Sequence, residues 1–253
     1  MKDLFSLAGK KFLITGGTRG IGRAISLQFA RSSAMVLANY VRDEKAAKTL
    51  QEEAAADGLS IKTCRADLTS EKGMERLAAF VKEHGDVLSG LVHCAATGVQ
   101  KHHSELTVRH FEWVFSLNVR AFLDLIKMLT PRFSKGASVV AVSSQGALFA
   151  VPYYSLVGAS KGALESLARH LAAELAPSGV RVNILSPGSV FTDAWKAMPE
   201  SERRLAEDKQ RTPLGRLVTL DEIARAAQFL CSDSSSGIVG HTLVVDGGAR
   251  IVA

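Results

Sequence analysis

Two tyrosines and a lysine share one short stretch, Tyr153-Tyr154-Ser155-Leu156-Val157-Gly158-Ala159-Ser160-Lys161. A phenol can donate a hydrogen bond or a proton, and an ammonium beside it adds positive potential. Together they suit negative charge developing on a substrate oxygen. Tyr154 precedes Lys161 by seven residues, and seven residues of helix turn back to almost the same face. They also rise by ~10 Å along the axis. Tyr154 is therefore expected just ahead of the regular helix, with Ser155 as N-cap. The lysine cation is expected to lower the phenol's pKa from its usual ~10. Tyr153, eight residues before Lys161, has the same chemistry and is assigned to the wall of a substrate pocket.

A second group of residues suits phosphate. Thr15-Gly16-Gly17-Thr18-Arg19-Gly20-Ile21-Gly22 stands between a strand-like run and a helical one. Gly16 can take a backbone conformation that other residues avoid. Gly20 and Gly22 let the backbone approach a pyrophosphate and the helix pack on a sheet, while the helix start offers free N–H groups. This placement predicts a dinucleotide site, with Thr18, Arg19 and Ile21 in the same turn. Asn39 stands where a carboxylate holds the ribose of NAD in many such folds. Without that carboxylate, a 2′-phosphate is not repelled, and Arg19 and Arg42 are in range to bind it, so NADPH is expected over NADH. A solvated charge is the plain alternative for Arg42. Asp67, followed by Leu68, comes after the third strand, where groups meet an adenine; a simple loop aspartate is the alternative. Small Ala95 and Ala96 allow close approach of a cofactor, and His93 and Cys94 are read as wall residues.

The elements that must position these groups are legible as alternation. Strand-like runs at residues 12–15, 34–39, 60–65, 90–94, 138–143, 181–185 and 242–245 interleave with helical patterns at 19–31, 43–57, 70–84, 107–129, 157–176 and 220–231. Thr219 and Glu222 have the spacing of a capping box at the last helix. Apolar strands alternating with helices predict an α/β fold, a doubly wound Rossmann arrangement on a parallel, seven-stranded sheet. Ligands then sit at the carboxyl ends of the strands.

The chain has 253 residues, 47% of them hydrophobic, enough for one large core. No Pro- or Ser-rich linker divides it, so residues 1–253 are read as one domain. The net charge of +6 fits a mildly basic enzyme. No basic block with interleaved aromatics points to nucleic acid, and no run reaches the ~18–20 apolar residues of a membrane span. Cys64, Cys94 and Cys231 are odd in number and far apart, which excludes a metal spacing and reads as reduced thiols in a cytoplasmic protein. The amino-terminal residues carry Asp3 and no long apolar run, unlike a secretory leader.

In order and spacing, these motifs resemble the short-chain dehydrogenase/reductase family over nearly the whole chain. The matching pieces are residues 15–22, Asp67, Cys94-Ala95-Ala96, Asn118 within Ser116-Leu117-Asn118-Val119, Ser143-Ser144, Lys161, Pro187-Gly188 and Asp246-Gly247-Gly248. Two departures stand out. The wall motif is His-Cys-Ala-Ala, where the family usually has Asn-Asn-Ala-Gly. Val157 occupies the place of the ketoreductase tyrosine, four residues before the lysine, so that proton donor is absent. Tyr-(six residues)-Lys, as in Tyr154 to Lys161, is instead similar to the superfamily's enoyl-acyl-carrier-protein reductases. The surroundings most resemble their third bacterial type, which uses NADPH. The supporting residues are Ala95-Ala96-Thr97-Gly98-Val99, Trp113, residues 157–161 and Thr212-Pro213-Leu214-Gly215-Arg216.

The resemblance implies roles residue by residue. Tyr154 stabilises the enolate oxygen formed when hydride adds to the β-carbon of an enoyl thioester. Lys161 hydrogen-bonds the nicotinamide ribose, Ser144 orders the site, and Asn118 kinks its helix and holds water, with an ordinary mid-helix asparagine as the plain alternative. Pro187, Gly188 and Thr192 form a loop over the cofactor. Residues 190–216 cover the substrate, with Trp195 and Met198 offering apolar surface to an acyl chain. Basic residues there, Lys196, Arg203, Arg204, Lys209 and Arg211, either steer an acyl carrier protein or form a solvated face. A homotetramer is also implied. Two other readings stay open: reduction of a ketone, hydroxysteroid or 3-oxoacyl group with a neighbouring tyrosine as donor, and a cofactor-binding scaffold without turnover.

Overall fold

Alternation along each strand decides the layering. In β1 (Lys11–Thr15), Phe12 and Ile14 enter one core and Leu13 enters the other. In β5 (Phe133–Val142), Val140 and Val142 go to the first side, and Val139 and Ala141 to the second. A strand buried on both faces needs helices on both faces. The computed structural model describes residues 4–192 and 201–252, and its seven strands form one parallel sheet in the order β3-β2-β1-β4-β5-β6-β7. The other strands are β2 (Met35–Tyr40), β3 (Ile61–Arg65), β4 (Leu88–His93), β6 (Arg181–Pro187) and β7 (Thr242–Val245).

The first core packs α1 (Gly20–Arg31) and α2 (Glu44–Ala56) on that side, with the helix Leu220–Cys231. The second packs α3 (Glu71–Glu83), the long helical tract through Val108–Phe115 (α4) and Ala121–Leu129 (α5), and α6 (Ser155–Leu175). Large side chains such as Phe12, Phe29 and Phe122 are fully buried, each contributing about 1.5–3 kcal/mol. The order reverses between β1 and β4, so a crevice opens at their carboxyl ends, where ligands bind in such sheets. The fold is therefore the doubly wound, single-domain α/β arrangement expected from the alternation.

Local chemistry explains the boundaries. Asp43 and Ser70 cap α2 and α3 by accepting from the backbone N–H groups of Ala46 and Gly73. The expected capping box is present: Thr219 Oγ1 accepts from Glu222 N at 3.2 Å, and Glu222 Oε2 accepts from Thr219 N at 2.8 Å. Three differences from expectation stand out. β5 begins at Phe133 rather than Ser138, pairing Phe133 with Leu88 before an irregularity ahead of Gly90. The polar segment 190–216 contains a helix, α7 (Ser201–Arg211), so Leu220–Cys231 becomes α8. Its charged sequence hid it, because no broad apolar stripe marks one face. The third concerns the start of α6. Tyr154, not Ser155, is its N-cap, and Ser155 is the first helical residue. Trp195, Met198 and Lys196 lie outside the described residues. Among those described, no helix is long and apolar enough to cross a membrane.

Candidate active site

The turn from β1 into α1 is shaped by contacts that only glycine allows. Gly16 has φ +62°, and a Cβ there would come 3.0 Å from the Ala95 backbone. A side chain at Gly22 would collide with the carbonyl oxygen of Gly16. Gly17 N donates to Asn39 O at 3.0 Å, tying the turn to β2. Arg19 is the N-cap of α1 and makes no side-chain cap, so the helix start keeps its N–H groups for an anion. Thr18 is buried, Ile21 is half-buried, and Thr192 leans over Gly20 from the loop after β6. Pro187 ends β6, and Gly188 follows with its N–H donating to Val245 O at 2.9 Å. A Cβ on Gly188 would strike Asp246.

At the end of β2, Asn39 is buried, and its Nδ2 donates to Ala66 O at 2.9 Å. Its Oδ1 is buried without a donor. Arg19 and Arg42 are exposed, and neither is ion-paired among the described residues. Asp67 Oδ1 accepts from Thr69 N and Thr69 Oγ1 at 2.9 and 2.7 Å, which braces the turn into α3. The Leu68 side chain belongs to the core, so only its backbone faces the crevice. The glycine turn, an orphaned amide oxygen and two free guanidinium groups fit a phosphorylated dinucleotide.

The wall after β4 hangs on one hydroxyl. Thr15 Oγ1 accepts from Cys94 N at 3.2 Å and Ala95 N at 3.1 Å, and it lies 3.0 Å from His93 Nδ1. With both backbone N–H groups donating in, the hydroxyl's own hydrogen goes to Nδ1. His93 therefore accepts there and carries its ring proton on Nε2. Burial, then the Lys161 cation, holds its pKa down at about 3, so the imidazole is neutral at working pH. Burial pushes the Cys94 thiol up to about 11, which makes it inert. Neither therefore brings a charge or a nucleophile to the site.

Across the crevice, the Tyr154 ring lies in a slot made by two glycines. A Cβ on Gly146 would come 2.7 Å from the ring, and one on Gly158 would meet the Gly146 carbonyl oxygen at 2.6 Å. The Tyr154 hydroxyl donates to Ser144 Oγ at 3.5 Å, and Ser144 Oγ also accepts from Gly146 N at 3.2 Å. The Tyr154 carbonyl takes the first helical bond from Gly158 N at 2.7 Å. Burial raises the phenol's pKa, and the Ser144 hydrogen bond offsets it only in part. The expected lowering by the lysine is thus corrected. Lys161 Nζ donates to Val142 O at 2.7 Å, and its backbone stands seven residues, a rise of ~10 Å, along α6 from Tyr154. Burial pulls Lys161 down to about 8, while Cys94 and Glu165 act to raise it.

Val157 is buried, with Cγ2 where a Cβ on Gly98 would stand. The position of the ketoreductase donor is therefore filled by packing against the β4 loop. Asn118 is fully buried in a π-helical turn, Ser116–Arg120, between α4 and α5. Its Oδ1 accepts from Thr97 N at 2.9 Å, and its Nδ2 donates to Thr97 O at 3.0 Å and Ser160 Oγ at 2.9 Å. It clamps the β4 loop to α6. Gly146 thus shapes the site without having been named in the sequence, and Gly158, Gly98, Ser160 and Thr15 do so from motifs in which they carried no individual role. The glycines at 146 and 158, spaced around a tyrosine, were the available signal.

Tyr153 takes the left-handed conformation, φ +60°, which is strained for a bulky residue. Its exposed ring meets α7, where Arg204 lies 5.5 Å from the ring centroid. Ser189 donates to Asp208 of α7, and Gln145 Nε2 donates to Ser189 Oγ at 3.4 Å. These contacts tie α7 to the loops that follow β5 and β6.

Sheet order, glycine turn and a phenol–lysine pair at the carboxyl ends define an oxidoreductase of the nicotinamide-dinucleotide class. A family model described as enoyl-(acyl carrier protein) reductase matches residues 16–250. The chain is 34% identical to 1-cyclohexenylcarbonyl-CoA reductase of Streptomyces collinus, over 95% of this chain and 87% of the relative. A 7α-hydroxysteroid dehydrogenase solved with NADH and 7-oxo glycochenodeoxycholic acid superposes with a TM-score of 0.91 at 32% identity, covering 97% of this chain and 96% of that one. The enoyl-[acyl-carrier-protein] reductase (NADH) of Aquifex aeolicus gives 0.90 at 29% identity, covering 98% of each. The chain belongs to the short-chain dehydrogenase/reductase family.

Proposed function

We propose that the chain saturates the carbon–carbon double bond of enoyl thioesters, as an NADPH-dependent enoyl-acyl-carrier-protein reductase. The supporting observation is the exchange of one phenol for another position. Val157, packed under Gly98, has no proton to give, while Tyr154 stands three residues earlier as a neutral phenol in a fixed slot. Adding hydride to the β-carbon places negative charge on the thioester oxygen, farther from the reacting carbon than a ketone oxygen would be. A fixed donor displaced towards the amino end of α6 suits that oxygen. When bound, NADPH supplies the hydride. Tyr154 donates its hydrogen bond to the thioester oxygen, and the Ser144 hydroxyl is free to turn and donate to the phenol oxygen; a proton from the Tyr154 hydroxyl or from water then goes to the α-carbon and completes the saturation. Lys161 adds positive potential and a donor for the cofactor's ribose. Gly16, Gly20, Gly22, Arg19 and Thr192 hold the phosphates. The relative from Streptomyces collinus is described as acting on a cyclohexenylcarbonyl thioester, whose double bond is conjugated with the carbonyl in the same way.

The test is NADPH oxidation with crotonyl and acetoacetyl thioesters side by side. Turnover of the crotonyl thioester is expected; activity on the acetoacetyl thioester alone would mean ketone reduction, the chemistry of the steroid-dehydrogenase relative. Cofactor binding with no turnover of either would mean a scaffold.

Both structural relatives above are described with NADH. The preference proposed for NADPH rests on uncharged Asn39 and on the unpaired Arg19 and Arg42. Arg42→Ala is expected to cut the NADPH-over-NADH ratio of kcat/KM by about tenfold, the scale of one charge-assisted hydrogen bond. An unchanged ratio would remove Arg42 from the 2′-phosphate site. An acyl carrier protein as thioester donor and a homotetrameric assembly belong to the same proposal.

A further inference from the structure

Two guanidinium groups lie over aromatic rings of the loop that leads to Tyr154, with no carboxylate paired to them among the described residues. Arg204, on α7, lies over the Tyr153 ring at 5.5 Å. Arg250, in the turn after β7, lies over the Phe149 ring at 6.0 Å, and its Nη2 donates to Ser186 Oγ at 2.6 Å. Phe149 and Tyr153 flank one loop, between β5 and α6, so a single loop carries both cations. Neither arginine forms an ion pair among the described residues. One nitrogen of each, Arg204 Nη1 and Arg250 Nε, is buried with no acceptor. The acids nearby are engaged elsewhere: Asp208 accepts from Ser189, and Asp246 accepts from Gly248 N and Arg250 N at 2.9 and 3.0 Å. A guanidinium present only to staple the carboxyl-terminal turn would have its buried N–H groups satisfied. Both residues are half-buried, and a guanidinium N–H that is buried without an acceptor suits an anion as its partner.

Position selects which anion. Ser186 lies beside Ser143 on the sheet, since Ser143 N donates to Leu185 O at 2.8 Å. The next residue, Ser144, receives the Tyr154 hydroxyl. Arg250 is thus bonded to the strand beside the one that leads to Ser144, at the same carboxyl end of the sheet as the Tyr154 hydroxyl. The phosphate of a carrier arm is held away from the thioester by the whole pantetheine chain. A carboxylate on the acyl part needs only a few carbons.

We propose that Arg204 and Arg250 form a carboxylate subsite, and that the preferred substrates are enoyl thioesters whose acyl group ends in a second acid. This rests on the enoyl-thioester reading above. The test compares trans-2-hexenoyl and trans-2-hexenedioyl thioesters of pantetheine, which differ only in the terminal carboxylate. The unsubstituted protein is expected to show a KM about tenfold lower for the dioyl thioester, the scale of one charge-assisted hydrogen bond. Arg250→Gln should collapse that ratio and Arg250→Lys should restore part of it. Arg204→Gln, on the surface helix, gives an independent second variant should Arg250→Gln fail to fold. Equal KM values in the unsubstituted protein, or variants that shift both thioesters alike, overturn the proposal. Should neither thioester be reduced, the enoyl reading fails by itself. The subsite is then read from titration of NADP+-saturated protein with hexanoate against hexanamide. Tighter hexanoate binding, lost in Arg250→Gln, upholds it, and equal binding overturns it.

Discussion

Tyr154→Phe is expected to lower kcat for crotonyl thioester reduction by about 10²–10³-fold, the usual loss for one donor at a developing oxyanion. The substituted ring keeps the slot between Gly146 and Gly158, because only the hydroxyl is removed. The bond it makes to Ser144, at 3.5 Å, is long and weak. Melting temperature and NADPH affinity should therefore change little, which separates lost chemistry from lost structure. Ser144→Ala should cost about tenfold, since it removes a partner of the phenol and not the donor. Tyr153→Phe should cost less than about threefold, because its ring faces α7 and Arg204. Steady-state kinetics on the three variants gives the order. Losses that are equal, or larger for Tyr153, would place the donor elsewhere.

Lys161→Met is expected to lower kcat/KM by about 10²-fold, with the loss shared between NADPH binding and turnover. The methionine stem fills much of the same buried channel, and the Val142 carbonyl loses its donor. The pH profile supplies the sharper reading. Burial brings Lys161 to about 8, against Cys94 and Glu165, which both favour the ammonium. The ammonium is the active form, so kcat/KM of the free enzyme should be full below that pKa and fall as pH rises through about 8. Lys161→Met has no such group and should show no fall in that range. A profile identical in both proteins would assign the titration to another residue. His93 is not a candidate for it, because its pKa is held at about 3.

Much of the framework could be read from residue order because it follows from local pattern. Thr242–Val245 stands as the last strand, and Thr219 with Glu222 caps the last helix. Gly16 and Gly22 were recognisable because few turns place glycines at that spacing before a helix. What escaped depends on the chain meeting itself. The slot around Tyr154 joins Gly146 and Gly158 from two elements. The clamp of Asn118 joins Thr97 to Ser160 across the site. The phenol's raised pKa could not come from spacing to Lys161, since burial outweighs a cation that faces Val142. α7 was missed because most of its residues are charged, and its fixing contacts, Asp208 to Ser189 and Arg204 to Tyr153, are distant in sequence.

A crystal structure of the protein with NADP+ and a non-reactive acyl thioester tests the central claim most directly. The Tyr154 hydroxyl is expected within hydrogen-bond distance of the thioester oxygen, with Val157 still packed against Gly98. A ring turned away from the nicotinamide, with the oxygen held by Tyr153 or by no phenol, would contradict the account.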